Sequence, residues 1–225
     1  MTGQPRNSAS LYVVNAVSSV ATAMISMSAL VWVNQYLLRR IDPAEYALVP
    51  IITSLLVVAE LFPMMFVRGL SRFMVEADAR RDGTGLAGIV SSMMPLLLTV
   101  SGVLLAGGLI AAVQIDSIIT VDPVHRSDAQ IMLLLLIGVL CLSVATTPLR
   151  VGLYVRMRFV EQNLIQLASE ILRLTILLCL LFGVSTRALW VVVASSTAST
   201  TNILVLMAYT FHILPEARFR WALVS

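Results

Sequence analysis

Six long apolar runs, separated by short polar links, organise the chain. They extend approximately over Leu11 to Leu38, Tyr46 to Leu70, Leu86 to Val113, Gln130 to Tyr154, Asn163 to Val184 and Ala188 to Leu214. An α-helix rises about 1.5 Å per residue and the hydrocarbon core of a bilayer is about 30 Å thick, so about 20 apolar residues make one crossing. Each run is long enough. The links carry the turn and charge signals, Pro43 in the first and Pro123 in the third among them, and none has the length of a separate soluble domain. Lipid offers the backbone no hydrogen-bond partners, so helices are the expected spanning structure; short alternating strands of the kind a membrane β-barrel uses are absent from the pattern. The expected fold is therefore an all-α integral membrane protein, a single six-helix lobe over residues 1–225. Arg6, the apolar stretch from Leu11 and Ala21-Thr22-Ala23 imitate a signal peptide, but the uncharged run continues to Leu38, which predicts a retained first helix.

Composition strengthens this reading: 59% of the 225 residues are hydrophobic, 12% are charged, and mean hydropathy is +0.94. A soluble domain with a wetted surface does not have these values. All fifteen basic residues are arginine, which suggests a GC-rich coding sequence and a bacterial source. If the N-terminus marks one side, that side collects Arg6, Arg68, Arg72, Arg80, Arg81, Arg150, Arg156, Arg158, Arg218 and Arg220. The other side has Arg39, Arg40, Arg126 and Arg187. The positive-inside rule then predicts that both termini are cytoplasmic, with the plasma (inner) membrane as the location. No basic run exceeds two consecutive arginines, so nucleic acid is not an expected partner.

Polar groups within the apolar runs are the candidates for chemistry. An ionisable side chain at the bilayer centre costs about 2.5–3.5 kcal/mol on insertion scales, so it normally faces protein or a hydrated cavity. Glu60, Glu170 and Arg173 are such groups. Arg173 lies about 15 Å along its helix from Asn163, near mid-depth. Glu170 is three residues away, on the same face. One reading is mutual neutralisation at a packed interface; the other is a fixed cation whose planar guanidinium holds a phosphate. Glu60 has no partner on its own helix and is a candidate to pair with Arg173 or to exchange a proton. Ser195 to Asn202 is almost continuous Ser, Thr and Ala, ending in the candidate Asn202, and Gly102, Ala106, Gly107 and Gly108 form a small-residue cluster in the third run. Close helix packing accounts for both clusters, with a hydrated pathway as the alternative for the first. Asn34 and Gln35 sit near the outer end of the first run.

Catalytic and metal-binding patterns do not occur. His125 and His212 stand far apart, without a further histidine or cysteine at ligand spacing, so no metal, cofactor or enzymatic activity is expected. Glu76, Asp78, Arg80 and Arg81 read as a solvated mixed-charge face. Cys141 and Cys179 lie in apolar runs and imply no disulfide framework.

The stretch Leu38-Arg39-Arg40-Ile41-Asp42-Pro43-Ala44-Glu45-Tyr46 resembles the first outer loop of the polysaccharide flippase family, within the multidrug, oligosaccharidyl-lipid and polysaccharide exporter superfamily. Gly69-Leu70-Ser71-Arg72-Phe73, Glu76, Arg80-Arg81-Asp82-Gly83, Pro148, Arg158-Phe159, Asn163 and Leu172-Arg173-Leu174 extend the resemblance. Asp42 and Ala47 depart from it, since the family usually has glycine at both places. Family members resemble two six-helix lobes in one chain, and this chain matches the N-terminal lobe. The resemblance implies a flippase for an undecaprenyl-pyrophosphate-linked oligosaccharide in polysaccharide biosynthesis, working by alternating access about a cationic cavity. Membrane lipid and either a second six-helix lobe or another copy of the chain are the other partners implied. Two alternatives stay open: an interaction subunit or half-transporter inactive alone, and a drug or ion exporter of the same superfamily.

Overall fold

The computed structural model describes residues 5–80, 82–119, 123–150, 158–185 and 187–213; within these, the side chains of 5–15 and a few others, mostly on the second helix, are not described. The described residues are helical, with no strand. In chain order the helices are α1 (Pro5–Leu38), α2 (Pro43–Ala79), α3 (Gly83–Val113), α4 (Ile115–Ile118), α5 (Arg126–Ala145), α6 (Thr147–Arg150), α7 (Phe159–Gly183) and α8 (Leu189–Ile213). Among the described residues, five segments are long and apolar enough to cross a membrane: Ala16–Leu38 of α1 and the whole of α3, α5, α7 and α8. The chain is a multi-pass, membrane-embedded helical protein. The run Tyr46 to Leu70 lies within α2, which is a single 37-residue helix.

Helix limits differ from the apolar runs where polar residues cap or continue a helix. The α2 helix passes Leu70 and ends at Ala79, inside the predicted link, because Met74 and Ala77 on its last turns are buried against Leu86 and Val90 of α3. At the start of α3 the Asp82 carboxylate accepts the Gly85 N–H at 2.8 Å and the Thr84 hydroxyl at 2.7 Å. A Cβ on Gly85 would lie 2.3 Å from Asp82 Oδ2, so this cap requires glycine. The Gly85 amide first, and then the Thr84 hydroxyl, hold the Asp82 carboxyl below the usual carboxylate range.

The fourth run is broken. The α5 helix stops at Ala145 and α6 restarts at Thr147, because Pro148 has no N–H and its ring crowds the preceding turn. Thr146 and Thr147 turn their hydroxyls back onto the carbonyls of Leu142 and Ser143, at 2.7 and 2.8 Å. The predicted ends at Tyr154 and Leu214 lie outside the described residues.

The α5 helix is central. It packs on α2, α3 and α8, while α7 packs between α8 and α1. The α3–α5 seam is the closest. Ser101 Oγ donates to the Cys141 carbonyl at 2.9 Å and Cys141 Sγ to the Ser101 carbonyl at 3.4 Å. Further along, Gln130 Nε2 donates to the Ala112 carbonyl at 3.1 Å. Of the small residues in α3, Gly108 is the one the seam needs: a Cβ there would meet Ile137 Cδ1 at 2.4 Å, whereas at Gly102 and Gly107 it would meet nothing within 4 Å.

The core is distributed unequally between the two ends. At the end that carries Glu45, buried residues from α1 (Val33, Leu37), α2 (Leu48, Ile52), α5 (Met132, Leu133), α7 (Leu177, Leu181) and α8 (Leu189, Val192) form one cluster. At the end that carries Asp82, a smaller cluster joins Leu70 and Met74 of α2, Leu86 and Val90 of α3 and Leu149 of α6, with Met207 and Phe211 of α8 against it. No described residue of α1 or α7 belongs to this second cluster.

Candidate functional site

The helices bring some of the candidate residues together and keep others apart. Arg173 and Glu170 lie one turn apart on α7, and Arg173 Nη2 donates to Glu170 Oε1. Neither is fully enclosed: 24% of the arginine side chain and 11% of the glutamate stay exposed. A partly open ion pair in a membrane-spanning helix has to meet water, protein or a ligand rather than hydrocarbon. The side chain of Glu60 lies outside those described.

Asn202 is joined to Gln166, one turn before the ion pair on the same face of α7. Its Nδ2 donates to Gln166 Oε1 at 2.9 Å, a bond that joins the antiparallel helices α7 and α8. Stepping seven residues along each helix from this bond puts Arg173 level with Ser195, about 10 Å further along the axis. The ion pair and the hydroxyl-rich middle of α8 therefore share one depth.

On the side of α8 that meets α5, Ser196, Thr197, Thr200 and Thr201 line a groove of about 400 Å³. Leu134, Leu135, Gly138 and Val139 form its other wall. The absence of a side chain at Gly138 widens the groove opposite the hydroxyls. Thr197 and Thr201 donate back to the carbonyls of Val193 and Thr197, at 2.8 and 2.9 Å, which leaves their oxygen lone pairs free to accept. Ser196 is buried, and its Oγ finds no hydrogen-bond partner among the described residues. The hydroxyls thus divide from the charges: neither Arg173 nor Glu170 nor Asn202 is part of the groove lining.

Several polar groups that the apolar pattern did not single out have structural roles. Glu45, 8% exposed, stands in the first turn of α2 and accepts the backbone N–H of Ala188 at 2.8 Å, just before α8 begins. Its carboxylate is thereby placed at two helix N-termini, where the backbone dipoles favour negative charge. Nearby, Arg187 reaches to 4.0 Å from Asp128, and Arg126 pairs with Asp116 at 2.8 Å. The Tyr46 hydroxyl donates to Asn34 Oδ1 at 2.8 Å, linking α1 to α2. Trp32, Tyr36 and Phe182 form an aromatic chain with 5.9 Å between successive ring centroids, and Arg40 lies 6.0 Å from the Tyr36 ring centre. Aromatic and arginine residues at helix ends are typical of a membrane–water boundary.

At the other end, Asn163 Nδ2 donates to the hydroxyls of Ser18 and Ser19, at 2.8 and 2.9 Å, and joins α7 to α1. Glu76 and Arg80 pair at 2.7 Å and are largely exposed, in keeping with a solvated face. Among the described residues no group of His, Cys, Asp and Glu could hold a metal ion, and Cys141 and Cys179 are free thiols, the first buried and the second exposed.

Compared with protein-family models, curated proteins and solved structures, the chain matches none.

Proposed function

We propose that the chain is a six-span transport lobe that moves a lipid-linked oligosaccharide, of the undecaprenyl-pyrophosphate kind, across a bacterial plasma membrane. The observation that carries this reading is the partly exposed Arg173–Glu170 pair at the depth of the α8 hydroxyls. A saccharide cannot cross hydrocarbon unaided because each of its hydroxyls would lose its water partners. Hydroxyl oxygens along Ser196, Thr197, Thr200 and Thr201 supply acceptors for sugar hydroxyls, and a guanidinium at the same depth supplies charge for a pyrophosphate. The ion pair is not part of the groove lining, so one substrate meeting both needs either movement of α7 against α8 or a partner lobe that closes the space. The resemblance at Leu38 to Tyr46 supports the same reading.

In this proposal α2 is a sixth crossing and both termini are cytoplasmic, as the arginine distribution requires. Reporter fusions within Arg80 to Gly83 are then expected to read cytoplasmic, and fusions near Asp122 to read external. The inverse pattern would refute the orientation.

Arg173→Ala is expected to abolish glycan export at normal protein abundance, and Arg173→Lys, which keeps the charge without the planar fork, to retain part of it. If the pair is only structural, each single variant loses folded protein, and Glu170→Gln combined with Arg173→Gln recovers it. Normal export by Arg173→Ala would remove the binding role.

A further inference from the structure

Arg150 is the last residue of α6, directly after the buried Leu149. Its Nη2 donates to the Ser143 carbonyl at 2.9 Å and to the Ser143 hydroxyl at 2.8 Å, so a single residue on α5 fixes the guanidinium plane. Its Nε is buried and finds no hydrogen-bond partner among the described residues. None of the ion pairs formed by the described residues includes Arg150. A guanidinium does not shed its proton, so the charge persists and calls for an anionic counterpart. The helices packed against α6 are α2, α3, α5 and α8, and on α8 Thr210 is fully buried, its hydroxyl without a hydrogen-bond partner among the described residues.

We infer that Arg150, oriented by Ser143, binds a phosphoryl group at the Asp82 end of the bundle, a site separate from Arg173. With Nη2 taken by Ser143 and Nε enclosed, Nη1 is the nitrogen left to donate to a phosphoryl oxygen, and the group supplies the missing negative charge. A carboxylate ligand would satisfy the charge too, but in the orientation proposed above, on which this choice rests, this end lies at the cytoplasmic leaflet, where anionic phosphate-bearing headgroups are concentrated. The shared chemistry has two sources: an anionic phospholipid and a soluble phosphoryl compound. The site does not depend on saccharide transport, and its test is binding alone.

The full chain is reconstituted in nanodiscs of phosphatidylcholine, of phosphatidylcholine with phosphatidylglycerol, and of phosphatidylcholine with inorganic pyrophosphate added. Thermal unfolding is followed in each, and bound lipid is counted by native mass spectrometry. The wild type is expected to gain stability from one of the two anions and Arg150→Gln to lose that gain; loss with phosphatidylglycerol identifies the lipid as source, and loss with pyrophosphate the soluble compound. Arg150→Lys, which keeps the charge, is expected to bind on the order of tenfold more weakly. The inference is overturned if wild type and Arg150→Gln respond alike in both arms. Should Arg150→Gln not fold, Arg150→Lys decides, and affinity equal to wild type in both arms overturns it.

Discussion

The two ends of the bundle are built on different principles. At the Glu45 end all six long helices meet in one apolar cluster, with a buried carboxylate bonded to the start of α8 and an aromatic chain from α1 to α7. Among the described residues at the Asp82 end, α2, α3, α6 and α8 share a smaller core, while Asn163 of α7 bonds to Ser18 and Ser19 of α1. The exposed side chains of Val17, Val20 and Met24 on α1 and Leu164 on α7 fit that division. Rigidity therefore concentrates where a carboxylate and a continuous core act together. At the Asp82 end the described bonds between α7 and α1 are those of an amide with two hydroxyls, which exchange readily with water.

The largest effect is expected at Glu45. Glu45→Ala leaves the Ala188 N–H unsatisfied and removes a charge-assisted bond, a loss of about 1.5–3 kcal/mol. Thermal unfolding of the purified chain should show a clear drop, with Glu45→Gln, which keeps an amide oxygen, lying between. A wild-type midpoint in Glu45→Ala would erase the distinction between the ends.

Asn163→Ala tests the other end and is expected to cost about 0.6 kcal/mol, the average for polar contacts between membrane helices. Its midpoint should hardly move, while backbone hydrogen exchange rises in α1 near Ser18 and Ser19. A loss as large as that of Glu45→Ala would make the two ends equivalent.

The smallest effect concerns Asp82, whose carboxyl is held below its ordinary value of about 3.9. A depressed folded pKa means that the cap stabilises α3 at neutral pH and down to about that ordinary value, and that the contribution is lost as pH falls further through the lower folded value. Exchange at the Gly85 amide should therefore stay protected between pH 7 and 5 and accelerate only on stronger acidification. Loss of protection near pH 6 would rule out this cap.

The apolar runs foretold the helices because hydrocarbon-spanning segments must be long and unbroken, and Arg173 with Glu170 was legible from i,i+3 spacing alone. The α5–α6 break was signalled by Pro148, yet its consequence, an Arg150 with an enclosed Nε, was not: sequence counted that arginine, near the end of the fourth run, among the basic residues of one membrane side. Glu45 gave a local signal too. Asp42-Pro43-Ala44-Glu45 has a proline in the first helical turn and an acidic residue close behind, the pattern of a helix start. That the carboxylate is buried against Ala188 depends on α8 arriving beside it, which no local spacing encodes. The split between the groove and the ion pair was equally hidden, because it depends on which neighbour each side of α8 meets.

The bond between Glu45 and Ala188 also imposes an order on biogenesis. The two residues are 143 positions apart, so at about 5–20 residues per second the carboxylate is made about 7–30 s before its partner amide. Throughout that interval α1 and α2 are available for insertion while the start of α8 does not exist. During this time Glu45 has no Ala188 N–H to accept and keeps water as its partner. Arrival of α8 beside α2 then becomes the step that encloses the carboxylate, and a chain interrupted before Ala188 lacks the N–H that Glu45 accepts.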